Sequence, residues 1–209
     1  VAFLCGLVSV VLGLTQGATY EDVTRILYYF FYIIVIVAGI LLSMSAFVQE
    51  RRQGTLELLY TLPVTDLELV LGKFLMGTAF LSMVSTAITL VYVKWIGEAP
   101  WFIVGTGILG LILVGMYSYS VGIFASTLTD SHLVSLLVAT VILAGVDIGG
   151  FLAGLLPSPA KDILTHLHGL HQFNPFSRGV IPFKGTIFFL SLTVLFLFLA
   201  VKVLESRRW

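Results

Sequence analysis

The chain has 209 residues, of which 58% are hydrophobic and only 11% charged; its net charge is zero and its mean hydropathy +1.07. A soluble domain carries about 25% charged residues to cover its surface, so a chain this apolar is excluded from that class and takes lipid as its solvent. The charge balance leaves no basic footprint for nucleic acid. The single cysteine, Cys5, excludes an intrachain disulfide and a multi-cysteine metal site.

Six apolar segments are legible in chain order. Residues 1–14 are the first; this run is shorter than the ~20 residues needed to cross a bilayer. It opens on Val1 without the basic n-region or small-residue cleavage site of a signal peptide, and is expected to be the remainder of a span that starts upstream. A polar stretch, 15–25, carries Glu21, Asp22 and Arg25 before a second span at about 26–48. Residues 49–68 are the most polar part of the chain, and a third span follows at 69–95. After the loop 94–100, the fourth span covers 101–128, and the short connection 129–131 leads to the fifth at 132–156. Residues 157–184 are mixed in character, and the last span, 185–204, closes the single transmembrane domain. In hydrocarbon every backbone amide needs an internal partner, so these runs predict an all-α, polytopic fold with six transmembrane helices.

Six spans put both ends on one side of the membrane. If that side also holds the 49–68 loop, it carries Arg51, Arg52, Lys73, Lys202, Arg207 and Arg208, against Arg25, Lys94, Lys161, Arg178 and Lys184 opposite. The clustered arginine pairs at span ends tip this narrow difference toward cytoplasmic termini.

The 49–68 loop has the most internal logic. Gly54 permits a sharp turn as the chain leaves the span. Thr55 suits the N-cap of a short helix, with Glu57 in its first turn and Leu56, Leu58, Leu59, Tyr60 and Leu62 supplying apolar surface. Pro63 marks that helix's end. A second helix is predicted to start at a capping box of Thr65 and Glu68, with Val64 and Leu69 as the hydrophobic staple. The expected product is a short amphipathic helix across the mouth of the bundle, joined directly to the third span.

The run Glu50-Arg51-Arg52-Gln53-Gly54-Thr55-Leu56-Glu57-Leu58-Leu59, with Leu62-Pro63-Val64 and Leu71-Gly72-Lys73-Phe74, resembles the signature of ABC-2 type transporter permeases. The stretches His171-Gln172-Phe173, Phe176-Ser177-Arg178-Gly179-Val180 and Leu204-Glu205-Ser206-Arg207-Arg208-Trp209 resemble the branch that includes the gliding-motility and copper-maturation permeases. The likeness runs from about the second span to the end. It implies a bacterial or archaeal inner (plasma) membrane and a permease subunit paired with a second copy or a sister permease. It also implies that Glu50, Arg51, Arg52, Gly54, Thr55, Leu56, Glu57, Leu58, Leu59, Leu62 and Pro63 belong to a coupling helix that docks on an ABC ATPase subunit. The chain has no G-x-x-x-x-G-K-[ST] phosphate loop, since Gly72-Lys73 lacks both the upstream glycine and the following Ser or Thr. ATP and Mg would accordingly sit on the partner; this chain needs no cofactor and carries out no bond chemistry.

Other signals have plainer explanations. Gly105-x-Gly107-x-x-Gly110 matches a dinucleotide fingerprint but lies inside a span without βαβ context, which makes it a helix-packing surface. Gly145-x-x-x-Gly149 and Gly150-x-x-x-Gly154 allow close helix approach, within one copy or between two. Asp147 is an intramembrane acid, roughly 22 Å along its helix from His132, and together with Tyr117 and Tyr119 it is a candidate for a translocation path. Ser118 and Ser120 complete a polar girdle that could instead hydrogen-bond neighbouring helices. His166, His168 and His171 lack a companion carboxylate or cysteine at good ligand spacing, Asp162 apart, and fit an interfacial helix better than a metal site. The alternatives to the permease are an ion-coupled secondary transporter or channel, which wants buried ionisable groups and inverted repeats, and a membrane hydrolase, which wants a nucleophile or ligand set at membrane depth.

Overall fold

A computed structural model of the chain describes residues 20–54, 65–96, 100–152 and 168–207. Among them, all regular structure is helical: α1 Tyr20–Ser43, α2 Val48–Arg52, α3 Asp66–Ile96, α4 Trp101–Leu128, α5 His132–Leu152, α6 Gly169–Ser177 and α7 Phe183–Arg207. Four helices are long and apolar enough to cross a membrane, beginning at Thr24, Asp66, Trp101 and Phe183, and α5 supplies a shorter apolar stretch over His132–Asp147. The expected first span, 1–14, lies outside the described residues.

α4 is the axis of the bundle. Of its span, 72% is buried, against 22% to 39% for the other three. α1 and α7 run parallel to it and α3 and α5 antiparallel. Its contacts with α1 are close because small residues meet there: Gly39 faces Ser118, and Gly122 faces Ser43. Gly107 receives the ring of Tyr28, also of α1, and on another side Gly77 of α3 receives that of Tyr119. Two of the three glycines of the apparent dinucleotide motif therefore do serve packing, Gly107 against Tyr28 and Gly110 against Phe173 and Phe176 of α6, while a Cβ at Gly105 would meet nothing within 4 Å. A Cβ at Gly145 would meet no atom of another described element within 4 Å, so this glycine makes no close approach within the described part of the chain.

Two buried clusters hold the ends. Tyr28, Tyr32, Phe173, Phe176 and Phe189 belong to one, and Phe47, Val70, Phe74, Leu197 and Leu204 to the other. Outward-facing residues such as Met76, Met83, Leu133, Val141 and Phe183 remain exposed, as a membrane solvent requires.

The helix ends depart from the apolar runs in instructive places. α1 begins six residues before the expected span, taking Glu21, Asp22 and Arg25 into its first turns. It stops at Ser43 rather than 48. There the Ser43 hydroxyl donates to the Gly39 and Ile40 carbonyls at 2.6 and 3.1 Å, competing with the helix's own amides. A tight turn follows before α2, a five-residue helix that apolar periodicity did not announce. At α3 the capping box forms: Thr65 N–H donates to Glu68 Oε2 at 2.9 Å, and Glu68 N–H to Thr65 Oγ1 at 3.3 Å. Thr65→Ala should therefore lower stability by about 1 kcal/mol in a detergent melt, with Thr65→Ser close to unchanged. No loss in Thr65→Ala would mean that α3 starts without this cap.

Candidate functional site

The end of the bundle that carries α2 concentrates the polar chemistry. α2 is short, yet its three charged residues all reach neighbouring elements. Arg51 donates one guanidinium nitrogen to Asp130 Oδ1 at 2.5 Å and another to the Thr127 carbonyl at 3.0 Å. Arg52 donates through Nε to the Asp130 carbonyl, also at 3.0 Å. Both side chains thus meet the C-terminus of α4, where unsatisfied carbonyls and the helix dipole favour a cation. Glu50 Oε2 lies 2.6 Å from Lys73 Nζ of α3, and that ammonium also bonds the Ala46 carbonyl and sits 4.1 Å from the centre of the Phe47 ring.

Gly54 is the last described residue of this junction. Its φ of 70° lies in the left-handed region, where a side chain is strained, and its N–H donates to the Arg51 carbonyl at 3.2 Å. The chain leaves the junction here in the sharp turn that Gly54 was expected to permit. Thr55, Leu56, Glu57, Leu58, Leu59, Leu62 and Pro63, the body of the expected docking helix, lie outside the described residues. Of the residues grouped for docking, the structure places Glu50, Arg51 and Arg52 against α3 and the α4–α5 connection.

At the opposite end Asp147 closes a second polar cluster. It accepts the Tyr32 hydroxyl at 3.0 Å (Oδ1) and 3.3 Å (Oδ2), and the backbone N–H groups of Gly169 and Leu170 at the start of α6. His168, at the N-cap of α6, makes no side-chain cap bond. Asp147 supplies the cap from another helix, satisfying donors that would otherwise be orphaned. The close fit leaves no room at Gly169, where a Cβ would lie 2.7 Å from the Tyr32 hydroxyl and 2.8 Å from Asp147 Oδ1. Tyr32 and Asp147 together close one end of an apolar groove of about 280 Å³ between α1 and α5, walled by Ile33, Val37, Leu41, Leu136 and Thr140.

Tyr117 and Tyr119 are both buried in helix interfaces. Tyr117 packs on Phe189 and Phe196 of α7 at 6.1 and 6.4 Å between ring centres, while Tyr119 faces Phe74 at 6.5 Å. Ser118 and Ser120 turn back on their own helix, donating to the Gly115 and Tyr117 carbonyls at 3.2 and 2.7 Å. The girdle's members therefore point into different interfaces; of the three candidate path residues, only Asp147 borders the groove. No group of three or more metal-ligating side chains occurs among the described residues; His166 lies outside them.

Sequence reasoning passed over Asp130 and Lys73. Asp130 follows α4 in a three-residue connection, and Lys73 was noted for its charge and its place in the Leu71–Phe74 signature; neither has a local pattern that names its partner 79 or 23 positions away. Residues 6–194 match the family model described as ABC-2 family transporter protein. No curated protein matches the chain.

Proposed function

The chain belongs to the ABC-2 family of transporter proteins, a family of membrane components that are not themselves catalytic, and on that footing we propose that it is the permease half of an ATP-driven exporter. In this reading a separate ABC ATPase binds ATP and Mg, a second copy or sister permease completes the membrane half, and six spans leave both termini cytoplasmic in the inner (plasma) membrane.

The observation that carries the reading is the junction around α2. Family membership makes an ATPase partner the expectation, and α2 offers a braced root ending in a turn at Gly54, just before the leucine-rich sequence 55–63. The segregation of charge supports the orientation: Arg51, Arg52, Lys73 and Lys202 sit at this end, and Arg25, Arg178 and Lys184 at the other. Motion of the ATPase would enter through 55–63 and reach the membrane helices from there.

Gly54→Val forces a β-branched residue into the left-handed region at a cost of roughly 1–2 kcal/mol and should misdirect the segment. Glu57→Lys reverses charge on the docking face. Both variants should insert normally but lower permease-dependent ATP hydrolysis in the reconstituted complex by about five-fold or more. Full coupling in both would remove the docking assignment from 55–63.

A further inference from the structure

The charged residues of α2 are committed inside the chain, and that commitment has a direction. We propose that Arg51, Asp130, Glu50 and Lys73 form a two-sided clasp that passes movement of the docking segment to α5 on one side and α3 on the other. This proposal rests on the permease reading above and assigns positioning roles to Asp130 and Lys73.

The geometry gives α2 two attachments of different character. Toward α3, Lys73 and Glu50 are both largely covered, with 22% and 28% of their side chains exposed. The ammonium is held at once by the Glu50 carboxylate, the Ala46 carbonyl and the face of the Phe47 ring. This side anchors α2. Toward α5, Arg51 is 19% exposed but Asp130 is 72% exposed. A carboxylate that open to water adds little to stability through its ion pair. The arginines instead tie α2 to the end of α4 and to the α4–α5 connection: Arg51 bonds the Thr127 carbonyl of α4 and the Asp130 side chain, and Arg52 bonds the Asp130 backbone carbonyl. Asp130 stands two residues before α5 begins.

α5 is the helix on which such a link has most effect. It carries Asp147 and one wall of the apolar groove, whereas α4 is the most buried of the spans, at 72%. A displacement of 55–63 that pulls on Gly54 is delivered through Arg51 and Arg52 to the start of α5. The clasp also gives a direct reason for three charges on a five-residue helix: each has a specified partner in the same chain.

The test uses the permease–ATPase complex in lipid nanodiscs, with Arg51→Ala, Asp130→Ala and the double variant; Asp130→Asn guards against a folding defect. Three quantities are measured: the amount of ATPase retained, kcat and KM for ATP in the complex, and the melting temperature. Each single substitution should lower kcat by about five-fold while leaving retention, KM and melting unchanged. The double variant should match the worse single to within about two-fold, because the two side chains act as one unit. Full kcat in the singles overturns the clasp, as does a double variant that loses the product of the two effects. Loss of retention in Arg51→Ala alone also overturns it, placing that side chain on the ATPase surface. If the unmodified chain retains no ATPase, the permease reading itself fails and the clasp fails with it, a result distinct from the other three.

Discussion

Gly122→Val should leave almost no monodisperse protein in mild detergent, the largest loss expected from any single substitution in the bundle. Gly122 lies where α4 crosses α1, and a Cβ there would stand 2.7 Å from the Ser43 Cβ and closer still to its hydroxyl. Ser43 cannot simply turn aside: it is fully buried, and its hydroxyl is bonded to the Gly39 carbonyl at 2.6 Å. The second small-residue contact, Gly39 against Ser118, lies on the same two helices, so separating them at one point loosens the other. Overpacking of a filled interior costs about 1–3 kcal/mol and occasionally more; a β-branched side chain on the central helix belongs at the upper end. Ser43→Gly, which removes the obstructing hydroxymethyl group, should recover part of the yield. Gly105→Ala is the control, since a Cβ added there would meet no atom of another described element within 4 Å. Size-exclusion profiles of fluorescent fusions read all three. A normal profile for Gly122→Val would mean that α1 and α4 do not approach as closely as the structure has them.

Asp147→Leu should cost about 2–3 kcal/mol and release α6 from the end of the bundle. The substitution removes the acceptor of the Tyr32 hydroxyl and of two backbone donors of α6 together, and leaves buried donors without partners. Tyr32→Phe removes only one donor and should cost closer to ~0.6 kcal/mol, the average for side-chain hydrogen bonds between membrane helices. Asp147→Asn keeps an acceptor and should fall between the two. Thermal unfolding in detergent gives the order, and cysteine labelling at positions on α6 shows whether that helix has undocked. Equal melting of Asp147→Leu and the unmodified protein would show that the carboxylate does not hold α6, and would return it to a role in the groove alone.

Those two sites show where sequence reading succeeded and where it had no purchase. The spans were legible because lipid leaves a signal in every residue: the fourth run, 101–128, coincides with α4. The Thr65–Glu68 box and the turn at Gly54 were legible because each is a local device, complete within a few residues. The break after Ser43 was not, since it depends on a hydroxyl competing for carbonyls within a continuous apolar run. Nor was the role of Asp147 as a cap. Its partners, Tyr32 and the start of α6, are 115 and about 22 positions away, and an isolated acid in a span carries no mark of them. The same limit applied to the girdle at Tyr117 and Tyr119: successive residues on a helix point about 100° apart, so a cluster in sequence became separate contacts with α7 and α3. Glu50, Arg51 and Arg52 were recognised as important through the family signature, which does not say what each side chain touches.

The central claim is that this membrane protein is driven by a separate ATPase, and a mild-detergent pull-down of the tagged chain from its native membrane tests it most directly. Mass spectrometry should recover a polypeptide with a Walker-type phosphate loop, retained by the unmodified chain and lost when residues 55–59 are replaced. Reproducible recovery of intact chain with no such ATPase would contradict the claim, and would leave a transporter that draws on another source of energy.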